Sequence, residues 1–343
     1  MRPALRIAIT LTLLVTACTR IQAAQKIDLR FRPTPADKQT LRVTSTLDMT
    51  MKMGPQQQVI TSTKTITLAF EPVETAADGT VLVRVRFVAI QEKGGMKGAG
   101  PGMEYDSTKP QDTSDPMAGH YSAFIGASFP IKVSPRGELV EMGTDELFLA
   151  VAGNIMERED KMMRERLKDR AEQAIERTNQ RFGSREDRKQ ALKKQVEEFP
   201  LLNGKAVQGL MRSVIGRFPD APVPTGGTWE APITPIPSTP FETPATHTLK
   251  TVKAGACTID ISGQRTMQDP PIVSQMGPAQ TSMKVAGVYT ATANVDLKTG
   301  LLLSKQAQMK FTGETKPPGP APQAQGATMQ VTMEGHTTVE VVE

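Results

Sequence analysis

From residue 41 to 53 the chain reads Leu-Arg-Val-Thr-Ser-Thr-Leu-Asp-Met-Thr-Met-Lys-Met, with every odd position apolar except Ser45. A period of two is that of a strand with one buried and one wet face. Gly54-Pro55 interrupts the pattern, and a Thr-rich stretch resumes it from Val59 to Phe70, with Ile66, Leu68 and Phe70 on one face. Asp78-Gly79 is a hairpin signal, because both residues tolerate left-handed backbone angles. Beyond it Val81, Val83, Val85 and Phe87 alternate again. Three strands joined by short turns predict an antiparallel meander with one solvated face.

Residues 92 to 118 carry no period and are rich in Gly, Pro, Asp and Met, which predicts a long loop. Phe129, Ile131 and Val133, the turn Ser134-Pro135-Arg136-Gly137, and then Leu139, Val140 and Met142 predict a hairpin, with Pro second and Gly fourth in the turn. From Asn154 to Phe218 the period is helical. Ile155, Met163, Leu167, Ala171 and Ala174 form a narrow apolar stripe on a charged segment, with Glu157–Lys161 and Asp160–Arg164 at four-residue spacing. Ser184 followed by Asp187 resembles a capping box that starts a second helix carrying Leu192 and Val196. Val207, Leu210, Met211, Val214 and Ile215 give a third helix whose broader apolar face suits packing on a sheet.

Eight prolines between Pro219 and Pro244 leave room only for short edge strands. Strand patterns return near Leu249, run through Cys257-Thr-Ile-Asp-Ile261, and continue from Met283 to Val295, where Asp296-Leu-Lys-Thr-Gly300 is a turn back into Leu301 to Phe311. A Pro, Gln and Gly tract from 313 to 326 precedes a last strand through Met329, Val331, Met333, Val339 and Val341. The order predicts a mainly β (α+β) fold, a curved antiparallel sheet or half-barrel with a helical insertion. Residues 25–145 and 219–343 supply the two β portions of one domain, and 146–218 the insertion.

The first eighteen residues decide the compartment. Arg2 and Arg6 precede an uncharged stretch, Ile7 to Thr16, of about ten residues, which suits a secretory signal and is too short to span a bilayer. Val15-Thr16-Ala17-Cys18 matches a bacterial lipoprotein cleavage pattern, in which Cys18 is lipidated and becomes the new N-terminus; ordinary cleavage after Ala23 or Ala24 is the competing reading. Several acyl chains on one residue hold a protein on a membrane, since each buried methylene contributes about 0.8 kcal/mol. Thr19 after the cysteine favours the outer membrane within the lipoprotein pattern. The expectation is an exported cell-envelope protein with a lipid anchor.

The formal charge of +5 falls to +3 once Arg2 and Arg6 leave with the signal. Basic and acidic residues are interleaved, so no phosphate-binding stripe forms and no nucleic-acid partner is expected. Cys18 and Cys257 are the two cysteines; with Cys18 cleaved or lipidated, Cys257 is unpaired and reads as a buried strand thiol. His120, His247 and His336 fit no metal-ligand spacing, and neither a nucleophile elbow nor a phosphate-binding loop is found. Gly94 to Gly102 has Met103 where a third dinucleotide-binding glycine would stand. Glu104, Asp106, Asp112 and Asp115 gather oxygen ligands in one stretch, but not at calcium-loop spacing. No cofactor, metal or enzymatic activity is expected. Trp229 reads as a packing anchor. Met49, Met51 and Met53 share one strand face, and flexible thioethers suit either a core or an irregular lipid cavity.

Four segments, Met103-Glu-Tyr-Asp-Ser107, Phe129-Pro-Ile-Lys-Val-Ser-Pro-Arg-Gly-Glu-Leu-Val140, Pro222-Val-Pro-Thr-Gly-Gly-Thr-Trp229 and Asp296-Leu-Lys-Thr-Gly300, resemble in order a bacterial family of exported proteins known only as domain of unknown function 6263. That resemblance implies an exported β-rich protein and no catalytic residue. The order of strands, helices and strands is similar, more loosely, to the half-barrels of periplasmic lipoprotein carriers. Two roles follow. One is a non-catalytic envelope protein that binds or scaffolds another envelope protein. The other is a carrier or sensor of a hydrophobic ligand such as a lipid, held in a cavity lined by Met49, Met51, Met53, Val207, Leu210, Met211 and Val214. A filled core favours the first and a void of several hundred cubic ångströms the second.

Overall fold

The computed structural model describes residues 26–98, 102–109, 116–198, 202–237, 242–268, 283–315 and 329–342. The predicted secretory signal and Cys18 lie outside them, as do Asp112, Asp115 and most of the Pro, Gln and Gly tract. The strands are β1 (Gln39–Met53), β2 (Gln56–Thr75), β3 (Val81–Met96), β4 (Met103–Asp106), β5 (Ser128–Val133), β6 (Leu139–Met142), β7 (Thr228–Ile233), β8 (Thr243–Lys253), β9 (Ala256–Gln268), β10 (Met283–Asp296), β11 (Leu302–Thr315) and β12 (Met329–Val342). The helices are α1 (Pro116–Phe124), α2 (Thr144–Leu167), α3 (Ala171–Phe182), α4 (Arg185–Glu197) and α5 (Gly204–Val214).

All twelve strands form one antiparallel sheet in the order β6-β5-β3-β2-β1-β12-β11-β10-β9-β8-β7, with β4 added to the far half of β3. The first and last long strands, β1 and β12, pair along their length and so join the strands before the helices to those after them. Their register sets apolar against apolar: Val43 lies between Ile66 and Val339, and Met49 between Ile60 and Met333. A slip of one residue would turn every one of these side chains to the wet face, so the hydrophobic pattern fixes the pairing.

The sheet curls without closing. Phe31 N–H donates to Pro135 O in the β5–β6 turn, and the next residue, Arg32, donates to Thr299 O in the β10–β11 turn. In a flat sheet β5 and β11 would stand about 24 Å apart, five strand spacings, whereas adjacent Cα atoms are about 3.8 Å apart. One rim of the sheet must therefore bend round. Among the described residues the edges left open are β6 and β4, each four residues long, and β7, which carries Pro232; all three are poor templates for further pairing. After α5 the chain passes from the β5–β6 turn, through Phe218 N–H to Arg136 O, to β7, where Trp229 Nε1–H donates to Arg217 O.

Three expectations change. The loop predicted over 92–118 contains the end of β3, all of β4 and the start of α1. Its alternation was hidden because Glu92, a charge, occupies a core-facing position. The helical insertion begins at Thr144, where Leu147, Phe148, Val151, Ala152 and Ile155 form its buried face; Leu167, placed in the predicted stripe, is 44% exposed. Asp160 does not serve a surface pair with Arg164. It is buried between Arg185 and Arg188, while Arg164 binds Glu172. The predicted cap is present, with Asp187 N–H donating to Ser184 Oγ at 3.0 Å.

Candidate functional site

Helix α5 opens on Asn203, whose Oδ1 accepts from Ala206 N–H at 2.9 Å. Its apolar face follows three- and four-residue spacing and is wholly interior: Val207, Leu210, Met211 and Val214 are buried. Met49 is buried in the same continuous core, Met51 is partly buried against it, and the side chain of Met53 lies outside the described residues. None of these residues lines the pocket found beneath α5. That pocket lies between the last turn of the helix and the core face of β8 to β11, measures about 30 Å³, and is walled by Ile215, Ile233, Ile261 and Val295.

The polar groups around it were not foreseen. On β11, Lys305, Ala307, Met309 and Phe311 alternate inward, so a lysine stands where an apolar residue would. Its Nζ donates to Ser213 O at 3.0 Å in the last turn of α5, and burial lowers its pKa to about 8. His247 on β8 stacks on Trp229 with ring centroids 5.3 Å apart. Burial holds its pKa near 4, against the backbone hydrogen bond at Ala231 that works the other way. His247 Nε2, Thr234 Oγ1 and Arg212 Nε are buried with no hydrogen-bond partner among the described residues. Arg212 and Arg217 share Glu242, at 3.3 and 3.4 Å. The only signal of this cluster in the sequence is a lysine and a histidine at core parity in otherwise apolar strands.

A second polar cluster lies under α1. Lys64 Nζ is 3.0 Å from Glu92 Oε2, and Tyr121 donates its hydroxyl to the same carboxylate. The Lys64 ammonium stands 5.4 Å from the centre of the Tyr121 ring, which packs on Tyr105 at 5.2 Å. Burial, then the Glu92 charge, pushes the Tyr121 phenol far up; burial raises Tyr105 to about 12. Both phenols stay protonated at neutral pH.

The other predicted chemistry disperses. Cys257 is buried on β9, and burial raises its thiol to about 11. The three histidines lie on α1, β8 and β12. Asp106 is held ionised well below the usual range by hydrogen bonds from Thr108. Among the described residues no three His, Cys, Asp or Glu side chains converge as a metal set. Trp229 anchors the strap after α5, as its hydrogen bond to Arg217 O shows.

The opposite face of the sheet is open and polar. Thr44 meets Thr65 and Thr46 meets Thr63 across β1 and β2, while Lys310–Glu334 and Lys250–Asp260 pair at 2.6 and 3.3 Å. Two grooves cross it. One, of about 340 Å³, is bordered by Asp48, Thr290, Gln308, Lys310 and His336; the other, of about 520 Å³, by Thr248, Lys250, Asp260, Ser262 and Gln306.

The profile of one protein family matches residues 78–182 and 170–302. The chain belongs to this family of unknown function (DUF6263). No curated protein matches the chain. Among solved structures it is similar to a lipovitellin, described for its lipid–protein interactions, with a TM-score of 0.43 and 8% identity over 89% of this chain and 25% of that one. The chain thus spans a quarter of the lipovitellin. An outer membrane channel from Pseudomonas putida F1 aligns with a TM-score of 0.18 and 8% identity, over 92% of this chain and 98% of the channel. A DUF1329 family protein from Desulfovibrio piger gives 0.13 and 9%, over 87% and 84%. No helix among the described residues is long and apolar enough to cross a membrane.

Proposed function

We propose that this DUF6263 member is a non-catalytic protein of the bacterial cell envelope, held to a membrane by a lipid on Cys18, that binds or scaffolds another envelope component through the open face of its sheet. One contrast carries the reading. The pocket under the last turn of α5 holds only about 30 Å³, while the opposite face of the sheet offers grooves of about 340 and 520 Å³. Those grooves are bordered by Thr, Ser, Gln and paired charges, with Val288 and Met309 in the first and Ile261 and Ala291 in the second, a mixed lining that suits a protein or polymer surface. A carrier of a hydrophobic ligand is the second reading. The adjoining thioethers of Met49, Met309 and Met333 on the core face favour it, because unbranched side chains repack around an apolar guest.

Native mass spectrometry of residues 25–343, exported in a bacterial host and purified without detergent, separates the two. A clean apo mass is expected, and a stoichiometric apolar adduct in the solvent extract overturns the scaffolding reading in favour of a carrier. Cys18→Ser in the full chain should release the protein from membranes. Unchanged membrane fractionation of that variant, or a wild type already in the soluble fraction, refutes the anchor.

A further inference from the structure

We infer that the pocket beneath the last turn of α5 is a binding site for a small monoanion, of the size of a halide or a carboxylate group, held by Lys305 and Arg212. Lys305, Arg212 and Arg217 all line it. Among the described residues Glu242 is the carboxylate at ion-pair distance, shared by the two arginines; Glu138 acts on Arg217 from further away, and none pairs with Lys305. The ammonium has three donors, and Ser213 O accepts one. A cation buried to 8% exposure without a counter-charge is costly to keep in a folded interior. The negative end of the α5 dipole offsets about half a charge at most.

The unpartnered atoms point the same way. Arg212 Nε–H is a buried donor and Thr234 Oγ–H can be turned into one, so both can join Lys305 around an anion. His247 is neutral at pH 7, and its Nε2 lone pair can receive a proton-bearing neighbour such as the Thr234 hydroxyl or a water. Water alone would satisfy hydrogen bonds but bring no negative charge to Lys305. A volume of about 30 Å³ exceeds what one water needs, roughly 10–15 Å³, and suits a small anionic group of a few heavy atoms. A free ion and the head of an acyl chain share this chemistry.

The test is thermal unfolding of the Cys18→Ser chain at pH 7 and constant ionic strength, in sodium chloride, acetate or octanoate against gluconate, which is too large to enter. Chloride or acetate should raise Tm over gluconate by a few degrees with saturating concentration dependence. The selective rise should vanish in Lys305→Met. Octanoate acting at concentrations well below acetate would identify an acyl head as the source, and octanoate no better than acetate a free ion. Equal Tm in chloride, acetate and gluconate, or a rise retained in Lys305→Met, overturns the site and leaves water as its occupant. Should Lys305→Met fail to fold, chlorine-35 line broadening of the Cys18→Ser chain decides: broadening displaced by acetate supports the site, and none overturns it.

Discussion

Lys64 on β2 and Glu92 on β3 stand directly opposite each other on the core face of the sheet and form an ion pair at 3.0 Å, with side chains only 13% and 6% exposed. Removing one partner leaves the other charge uncompensated in the interior, so Lys64→Met or Glu92→Leu alone should cost about 3–5 kcal/mol. The double substitution should cost less than the sum of the two by more than about 1 kcal/mol. Urea unfolding of the four proteins in the cycle measures this directly. Additive losses would mean that the pair is not coupled.

The charged helices have their own keystone. Arg188 is 2% exposed on α4, bound to Asp160 of α2 at 2.8 Å, to Asn179 of α3 at 3.1 Å and to Glu159 at 2.7 Å. One guanidinium thus ties three helices whose apolar faces are narrow, as Ala171 and Ile175 on α3 illustrate. Arg188→Met should open this insertion by about 3 kcal/mol or more while leaving the sheet folded. Hydrogen exchange should show lost protection in α3 and α4, with β1 and β12 unchanged. Uniform loss of protection across the sheet would refute a local role.

Legibility in the sequence followed the hydrophobic period. β1, the β5–β6 hairpin and the apolar face of α5 stand where alternation and three-four spacing put them, because each buries one face against partners of the same kind. What stayed hidden were the places where a polar residue takes a core position. Glu92 disguises the end of β3, Asp160 reads as a surface residue, His247 reads only as a histidine outside any metal-ligand spacing, and nothing in the strand pattern singles out Lys305. Such groups make sense only beside partners distant in sequence, as with Lys305 and Ser213, and a one-dimensional period carries no such pairing. The curl of the sheet was hidden for the same reason, since it rests on Phe31 and Arg32 reaching two turns far apart in the chain.

His247 should make the fold acid-sensitive. Its pKa is near 4 in the folded protein, against 6.5 for the unperturbed side chain, because burial disfavours the imidazolium. Between these values the unfolded chain takes up a proton that the folded one refuses. Stability should therefore fall as pH is lowered from about 6.5 to about 4, by up to about 3 kcal/mol from this group. His247→Phe keeps a ring against Trp229 and removes the titration. The difference in urea midpoint between wild type and variant should change across that window, and a constant difference would show that His247 does not contribute.

Two glycines with similar backbone angles separate conformational strain from close packing. Gly54, in the β1–β2 turn, has φ 56° and open space where a Cβ would stand. Gly300, in the β10–β11 turn, has φ 72°, but a Cβ there would overlap the carbonyl of Arg30 in the segment that draws the rim together. Gly54→Ala should cost only the left-handed penalty, about 1–2 kcal/mol. Gly300→Ala must also displace residues 30–32 and with them the hydrogen bond from Arg32 to Thr299 O. Losing that bond adds about 1 kcal/mol before any loosening of Leu29 and Phe31, which are buried in the core beside it. Thermal unfolding should therefore rank Gly300→Ala well below Gly54→Ala, and equal losses would mean that the rim contact does not hold the curl.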